Sequence, residues 1–287
     1  MGLLPVIASI LMASAFADEA PKVDEDPGRG TTVSLEYDRN PGNLYSTLLG
    51  GDIALSKKVG LLANYKSDEL PAGYGTPNAT SFGLGAEDDF TEDFTGGIGG
   101  EYDRLPENAS AKGFNLGAHL RVDKWRFGIS LRSMRYNSDN ARAAKRLRDK
   151  GIPERSAALD ISYRFTRNWK IKGAYTGYSY GGATPAELAT VIEARPATSA
   201  GLLSAVEGFP KNSELLALIL NASDTWDFDL TGVHTTYQLS PNSTTLTLGA
   251  NCQITPAWGA GPLVSGIQQD GQKDGVIIGL QTSYTWE

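Results

Sequence analysis

From residue 31 onward the chain alternates apolar and polar positions with a period of two. Val33, Leu35 and Tyr37 interleave with Ser34, Glu36 and Asp38. Trp125, Phe127, Ile129 and Leu131 interleave with Arg126, Gly128, Ser130 and Arg132. The same alternation returns in Leu159, Ile161 and Tyr163, in Leu246, Leu248 and Ala250, and in Ile278, Leu280, Tyr284 and Trp286. Successive side chains of a strand point to opposite faces, so this pattern predicts β-strands with one apolar and one polar face. It predicts twelve: residues 31–38, 45–56, 59–67, 80–88, 93–104, 112–122, 125–136, 155–166, 169–180, 225–239, 244–255 and 275–286. Most have the ~9–11 residues that a tilted strand needs to cross a hydrocarbon layer.

The connections alternate between short and long. Ser56-Lys57-Lys58, Asp123-Lys124, Thr166-Arg167-Asn168 and Ser240-Pro241-Asn242-Ser243 read as tight turns. Residues 68–79, 137–154, 181–224 and 256–274 are long connections, with the shorter 39–44 and 105–111 in the same alternate positions. A soluble sandwich has no reason to sort its connections in this way, whereas a membrane barrel puts tight turns at one end and longer loops at the other. The expected fold class is all-β, an antiparallel transmembrane β-barrel of about twelve strands, and an even number places both strand termini at the tight-turn end.

Aromatic residues collect near the predicted strand ends, among them Tyr65, Tyr102, Trp125, Tyr136, Trp169 and Trp226, where headgroup-level girdles form. Tyr284 and Trp286 in the last alternating segment are similar to the terminal aromatic signature of Gram-negative outer-membrane β-barrels, although Glu287 follows them here. Over residues 31–287 the chain resembles that porin-like class, and no narrower family is indicated. The resemblance implies an outer-membrane location, assembly by the barrel-assembly machinery and contact with outer-membrane lipid and lipopolysaccharide.

Composition agrees and adds exclusions. The 287 residues are 40% hydrophobic and 21% charged, with a net charge of −7. An acidic chain lacks the positive footprint of a general nucleic-acid binder. The single cysteine, Cys252, excludes an intramolecular disulfide and a cysteine-cluster zinc site. A mean hydropathy of −0.26 argues against a helical membrane bundle but not against a barrel, whose strands are only half apolar. Ahead of the barrel, the uncharged apolar run 2–16 closes on Ala15-Phe16-Ala17, so residues 1–17 read as a signal peptide and the acidic 18–30 as a flexible lead-in.

With the apolar face in lipid, the polar face lines a lumen. The first five predicted strands put acids there: Glu36, Asp38, Asp52, Glu87, Glu101 and Asp103. The next four put bases there: His119, Arg121, Arg126, Arg132, Arg164, Lys170 and Lys172, with Asp160 as the lone acid. Opposed charges across a wet lumen orient water and filter solutes by size and dipole. The expected function is a passive channel for small hydrophilic solutes. The alternatives are a non-conducting structural or adhesive barrel, plugged by pairing of the same charges, and an outer-membrane lipid hydrolase.

The connection 181–224 is too long to be passive. Thr184-Pro185-Ala186-Glu187 opens a predicted helix, Leu202, Leu203 and Val206 mark a second, and Ser213-Glu214 starts a third that carries Leu215, Leu216, Leu218 and Ile219. Such a helical insertion can narrow or cap the mouth. In the loop 137–154, Arg142 to Arg148 offers bases for lipopolysaccharide phosphates. Gly177-Tyr178-Ser179-Tyr180-Gly181 matches G-x-S-x-G, with Asp227, Asp229 and His234 following in triad order, but the flanking strand alternates and lacks the buried βα units of a hydrolase. Two histidines without a local acid cluster make no metal site, and no cofactor is implied.

Overall fold

The computed structural model describes residues 31–40, 44–68, 79–105, 109–138, 149–181, 209–239, 241–270 and 274–286. They form fourteen strands: β1 (Thr31–Asn40), β2 (Leu44–Ala54), β3 (Val59–Asp68), β4 (Ala79–Asp89), β5 (Phe94–Leu105), β6 (Ala109–Val122), β7 (Trp125–Ser138), β8 (Ile152–Arg164), β9 (Trp169–Ser179), β10 (Pro210–Asn221), β11 (Trp226–Tyr237), β12 (Ser243–Gln253), β13 (Trp258–Gln269) and β14 (Gly275–Trp286). Every strand pairs antiparallel with its sequence neighbours. β1 pairs with β14 from Thr31↔Trp286 to Arg39↔Ile278, so the sheet closes and no edge is left to template aggregation.

The barrel is thus larger than the twelve strands expected. Residues 213–220, read as a third helix, are the body of β10, and the connection read at 256–274 contains β13. In β10, Leu215, Ala217 and Ile219 share the inward parity and Leu216, Leu218 and Leu220 the outward one, so residues 215–220 are apolar on both faces and the period of two is hidden. A short apolar run of that kind does not distinguish strand from helix. β13 is disguised by Gly259, Gly261, Pro262 and Gly266. Its pairing with β12 lapses beside Pro262, between Gly249↔Leu263 and Cys252↔Ala260. A proline has no N–H to give to the ladder. A Cβ on Gly261 would run into the Ala250 carbonyl, so the backbones approach there as only glycine permits. With two more strands, the turn before Ser243 moves to the long-loop end. The expected signal peptide over 1–17, the expected lead-in 18–30, Arg142 to Arg148 and the first two helices predicted between 184 and 208 lie outside the described residues.

Five of the tight turns share one construction. Ser56, Thr91, Thr166, Ser223 and Thr255 each sit second in a four-residue turn, and each hydroxyl accepts a backbone N–H two or three residues on, at 3.0–3.3 Å. The remaining turn, Asp123-Lys124, is a two-residue hairpin with Asp123 at φ 55°. All five tryptophans lie at this end of the strands, beginning β7, β9, β11 and β13 and ending β14. They join other rings in a girdle: Trp125 lies 4.4 Å from Tyr163, Trp226 5.9 Å from Phe228, and Trp286 5.6 Å from Tyr284. Above the girdle the outer face is an exposed belt that includes Leu84, Ile98, Leu159, Leu246, Ile278 and Leu280. A continuous apolar surface of this extent has lipid as its physical partner.

Candidate functional site

Parity assigns every expected lining residue to the inner face, opposite the apolar belt. The densest contacts there lie on β5–β8. Arg132 on β7 donates from Nε to Glu101 on β5 at 2.7 Å and from Nη1 to Glu154 on β8 at 2.9 Å. Asp103 stands 3.9 Å from its other terminal nitrogen. Asn115 on β6 donates to Glu101 at 2.7 Å, and the Tyr136 hydroxyl to Glu154 at 2.8 Å. The register explains the convergence: Asn115 pairs with Arg132, and glycine occupies β6 opposite Glu101, leaving the guanidinium a clear path. The Glu154 side chain is 3% exposed and that of Arg132 27%. One guanidinium therefore serves three carboxylates in a largely buried knot.

That knot corrects two expectations. Arg132 is not part of a separate basic wall, because it is paired with Glu101 across β6 and with Glu154 on the adjacent β8. Asp160 is not the lone acid of strands six to nine, because β8 begins at Ile152 and brings Glu154 onto the inner face. The other bases gather at the tight-turn end. Arg121 pairs with Arg126, Arg126 with Ser162, Ser162 with Lys172, and Arg164 with Lys170, placing five cations on four adjacent strands. Arg121 and Arg164 are exposed there. His119 lies beside Asp160, and a Cβ on Gly128 between them would collide with both side chains.

Among the acids, Glu36 and Asp38 stand on β1, Asp52 on β2, Glu87 on β4, and Glu101 and Asp103 on β5. The acidic wall also carries Lys66 on β3, between Leu48 and Ser81 in the register and 4% exposed, which polar-face reasoning had omitted. Asp227 and Asp229 on β11 share the inner face as well. Alternation alone places all of these on the inner face, and Glu154 lies one residue before the predicted strand 155–166.

The third sector was not foreseen. On β10–β14, Leu215, Val233, Leu263, Ile267 and Ile277 face inward and are buried. Hydroxyls alternate with them: Ser213 meets Thr235 at 3.1 Å and Thr247 meets Ser265 at 2.7 Å. The inner wall is therefore charged over β1–β9 and neutral over most of β10–β14. At the long-loop end Ile152, Tyr180 and Phe209 pack with Tyr136, Tyr178 and Leu239, pinning both ends of the connection 180–209 to the wall. Tyr180, one residue past β9, donates to the Pro210 carbonyl at 3.1 Å. Burial first, and then the Glu154 carboxylate, raises the pKa of its hydroxyl well above the ordinary tyrosine value.

The triad order is not a triad. Ser179 is exposed on the outer face of β9. His234 also faces outward, with Nδ1 3.0 Å from the Thr244 hydroxyl, whereas Asp227 and Asp229 face inward. Cys252 shares the outward parity of β12. Among the described residues, no three His, Cys, Asp or Glu are grouped to hold a metal ion.

No protein family matches the chain by sequence, and neither does any curated protein. Solved structures do match its fold. The CymD monoaromatic hydrocarbon channel aligns over 91% of this chain and 89% of its own, with a TM-score of 0.56 at 10% identity. A FadL homologue of Pseudomonas aeruginosa aligns over 90% of each chain, with a TM-score of 0.52 at 11% identity. CdiB from Acinetobacter baumannii aligns over 90% of this chain and 60% of its own, with a TM-score of 0.51 at 11% identity. The fold is that of outer-membrane β-barrels.

Proposed function

We propose that the protein is a passive channel of a Gram-negative outer membrane, admitting small hydrophilic solutes past a lumen of opposed charges. The observation that carries this reading is the position of the charges around the ring. In a closed barrel of fourteen strands, members seven apart face one another across the lumen. β8 thus faces β1 and β9 faces β2, so Arg164, Lys170 and Lys172 at the tight-turn end look across at Asp52, with Glu36 and Asp38 on the same wall nearer the long loops. A low-dielectric wall on either side focuses such a field along the wet path between them. Exposure of Arg121 and Arg164 supports entry of water at the tight-turn end, and the buried neutral sector narrows the passage toward the charged side. Tyr284 and Trp286, on the seam strand, are the residues offered to the barrel-assembly machinery.

Ion selectivity tests the lining. Refolded protein carrying Arg126→Glu and Lys172→Glu is expected to shift its reversal potential in a salt gradient toward cation preference, by several-fold in permeability ratio. Unchanged selectivity in a conducting variant would remove these residues from the path. A second reading has its own observation: the inward Leu215, Val233, Leu263 and Ile277 favour solutes with one apolar side. Liposome uptake of phenol-sized aromatic acids faster than of equally charged sugar acids would select it.

A further inference from the structure

The outer surface carries a row of cations at one height. Arg104 on β5 lies ten residues from Phe94, Lys112 on β6 ten from Val122, Arg135 on β7 ten from Trp125, and Arg155 on β8 ten from Phe165. All four share the outward parity of the apolar belt, and all four are exposed. Lys112 and Arg135 are register partners. Arg104 lies two residues beyond Tyr102, the partner of Lys112, and Arg155 pairs with Ser133, two residues from Arg135. The row slips from strand to strand in the same steps as the girdle from Phe94 through Val122 and Trp125 to Phe165, so its height is constant.

That height is a membrane dimension. A strand rises about 3.4 Å per residue, and a tilt of about 35–45° projects ten residues onto roughly 25 Å, the depth of a barrel's apolar band. The row therefore stands at the outer headgroups. Elsewhere at the ten-residue height are Thr80 from Phe90, Ser179 from Trp169, Thr236 from Trp226, Gln268 from Trp258 and Val276 from Trp286, none of them charged. No carboxylate faces outward on β5–β8 among the described residues. Three interstrand steps of about 4.8 Å and two register slips of two residues give the row a span of roughly 20 Å, wider than one phosphodiester. Below it run Tyr102, Phe114, Leu131 and Leu159, an apolar column on the same strands.

The geometry points to this row as a binding site for an outer-leaflet lipid that bears more than one phosphate on a sugar headgroup, with its acyl chains on the column beneath. Guanidinium forks grip phosphate oxygens in pairs, and four clustered cations find no net counter-charge in a zwitterionic headgroup. The site rests on the membrane placement of the barrel and is independent of conduction.

The test is lipid retention by the full chain. Protein in neutral detergent is loaded with diphosphoryl lipid A, monophosphoryl lipid A or phosphatidylcholine, exchanged into lipid-free detergent, and weighed by native mass spectrometry. The diphosphoryl form is expected to be held longest, with retention falling as salt rises. Each Gln substitution at Arg104, Lys112, Arg135 or Arg155 is expected to weaken binding about fivefold. Conductance should not change, which separates failure of this site from failure of the channel reading. If the quadruple variant does not fold, Lys112→Gln and Arg135→Gln singly carry the same expectation. Undiminished retention by the variants, equal retention of phosphatidylcholine, or full displacement by equimolar inorganic phosphate would overturn the proposal.

Discussion

Removing the guanidinium of Arg132 would leave Glu101, Asp103 and Glu154 facing one another without a counter-charge. Stranding buried acids in this way costs on the order of 3 kcal/mol, more than the net worth of the pair itself. Arg132→Gln is therefore expected to lower the temperature at which the folded, fast-migrating form is lost on an unboiled gel. Glu154→Gln should cost less, since it removes a charge from a site that has too many and its amide still accepts from Tyr136. Gly128→Val is expected to destabilise by about 1–3 kcal/mol through overpacking against His119 and Asp160, read from the same gel. At this scale the alternation of side chains was a good guide to facing and a poor one to pairing. It puts Glu101, Asp103 and Arg132 on one face, and there their side chains meet. It could not say that β6 is crossed by an ion pair, because that depends on which neighbour bears a glycine.

Strands were legible where their two faces differ in polarity. β7, with apolar residues against Arg126, Ser130 and Arg132, announces itself; β10 does not, because lipid lies on one side of it and a neutral inner wall on the other. The turns held the missing information. Phe165-Thr166-Arg167-Asn168-Trp169 has the same form as Ala222-Ser223-Asp224-Thr225-Trp226 and Ile254-Thr255-Pro256-Ala257-Trp258, a hydroxyl residue three positions before a tryptophan. Read as a repeat, these turns locate the end of β10 and the start of β13. Each hydroxyl satisfies turn N–H groups, so Thr166→Ala and Thr255→Ala should each cost about 1 kcal/mol in urea unfolding. Equal effects at both sites would mark a shared device, and no effect at either would reduce the hydroxyls to bystanders. Gly261→Val should be costlier than either, since the Ala250 backbone must yield.

Over the whole molecule, a net charge of −7 hides a division into sectors. Acids occupy β1–β5 with Lys66 among them, cations the tight-turn half of β6–β9, and neutral side chains most of β10–β14, while a separate basic row marks the outer rim of β5–β8. The closed ring was legible from the alternation and from the sorting of connections. Its size was not, and the size matters, because fourteen strands rather than twelve set β8 and β9 directly across from β1 and β2. That opposition is what turns a list of charges into a transverse field, and the field matters only if the lumen conducts. Single-channel recording in planar bilayers tests this most directly. Refolded wild-type protein is expected to give discrete, reproducible conductance steps in symmetric salt. A correctly folded barrel that inserts and yet shows no steps at any voltage would contradict the channel account.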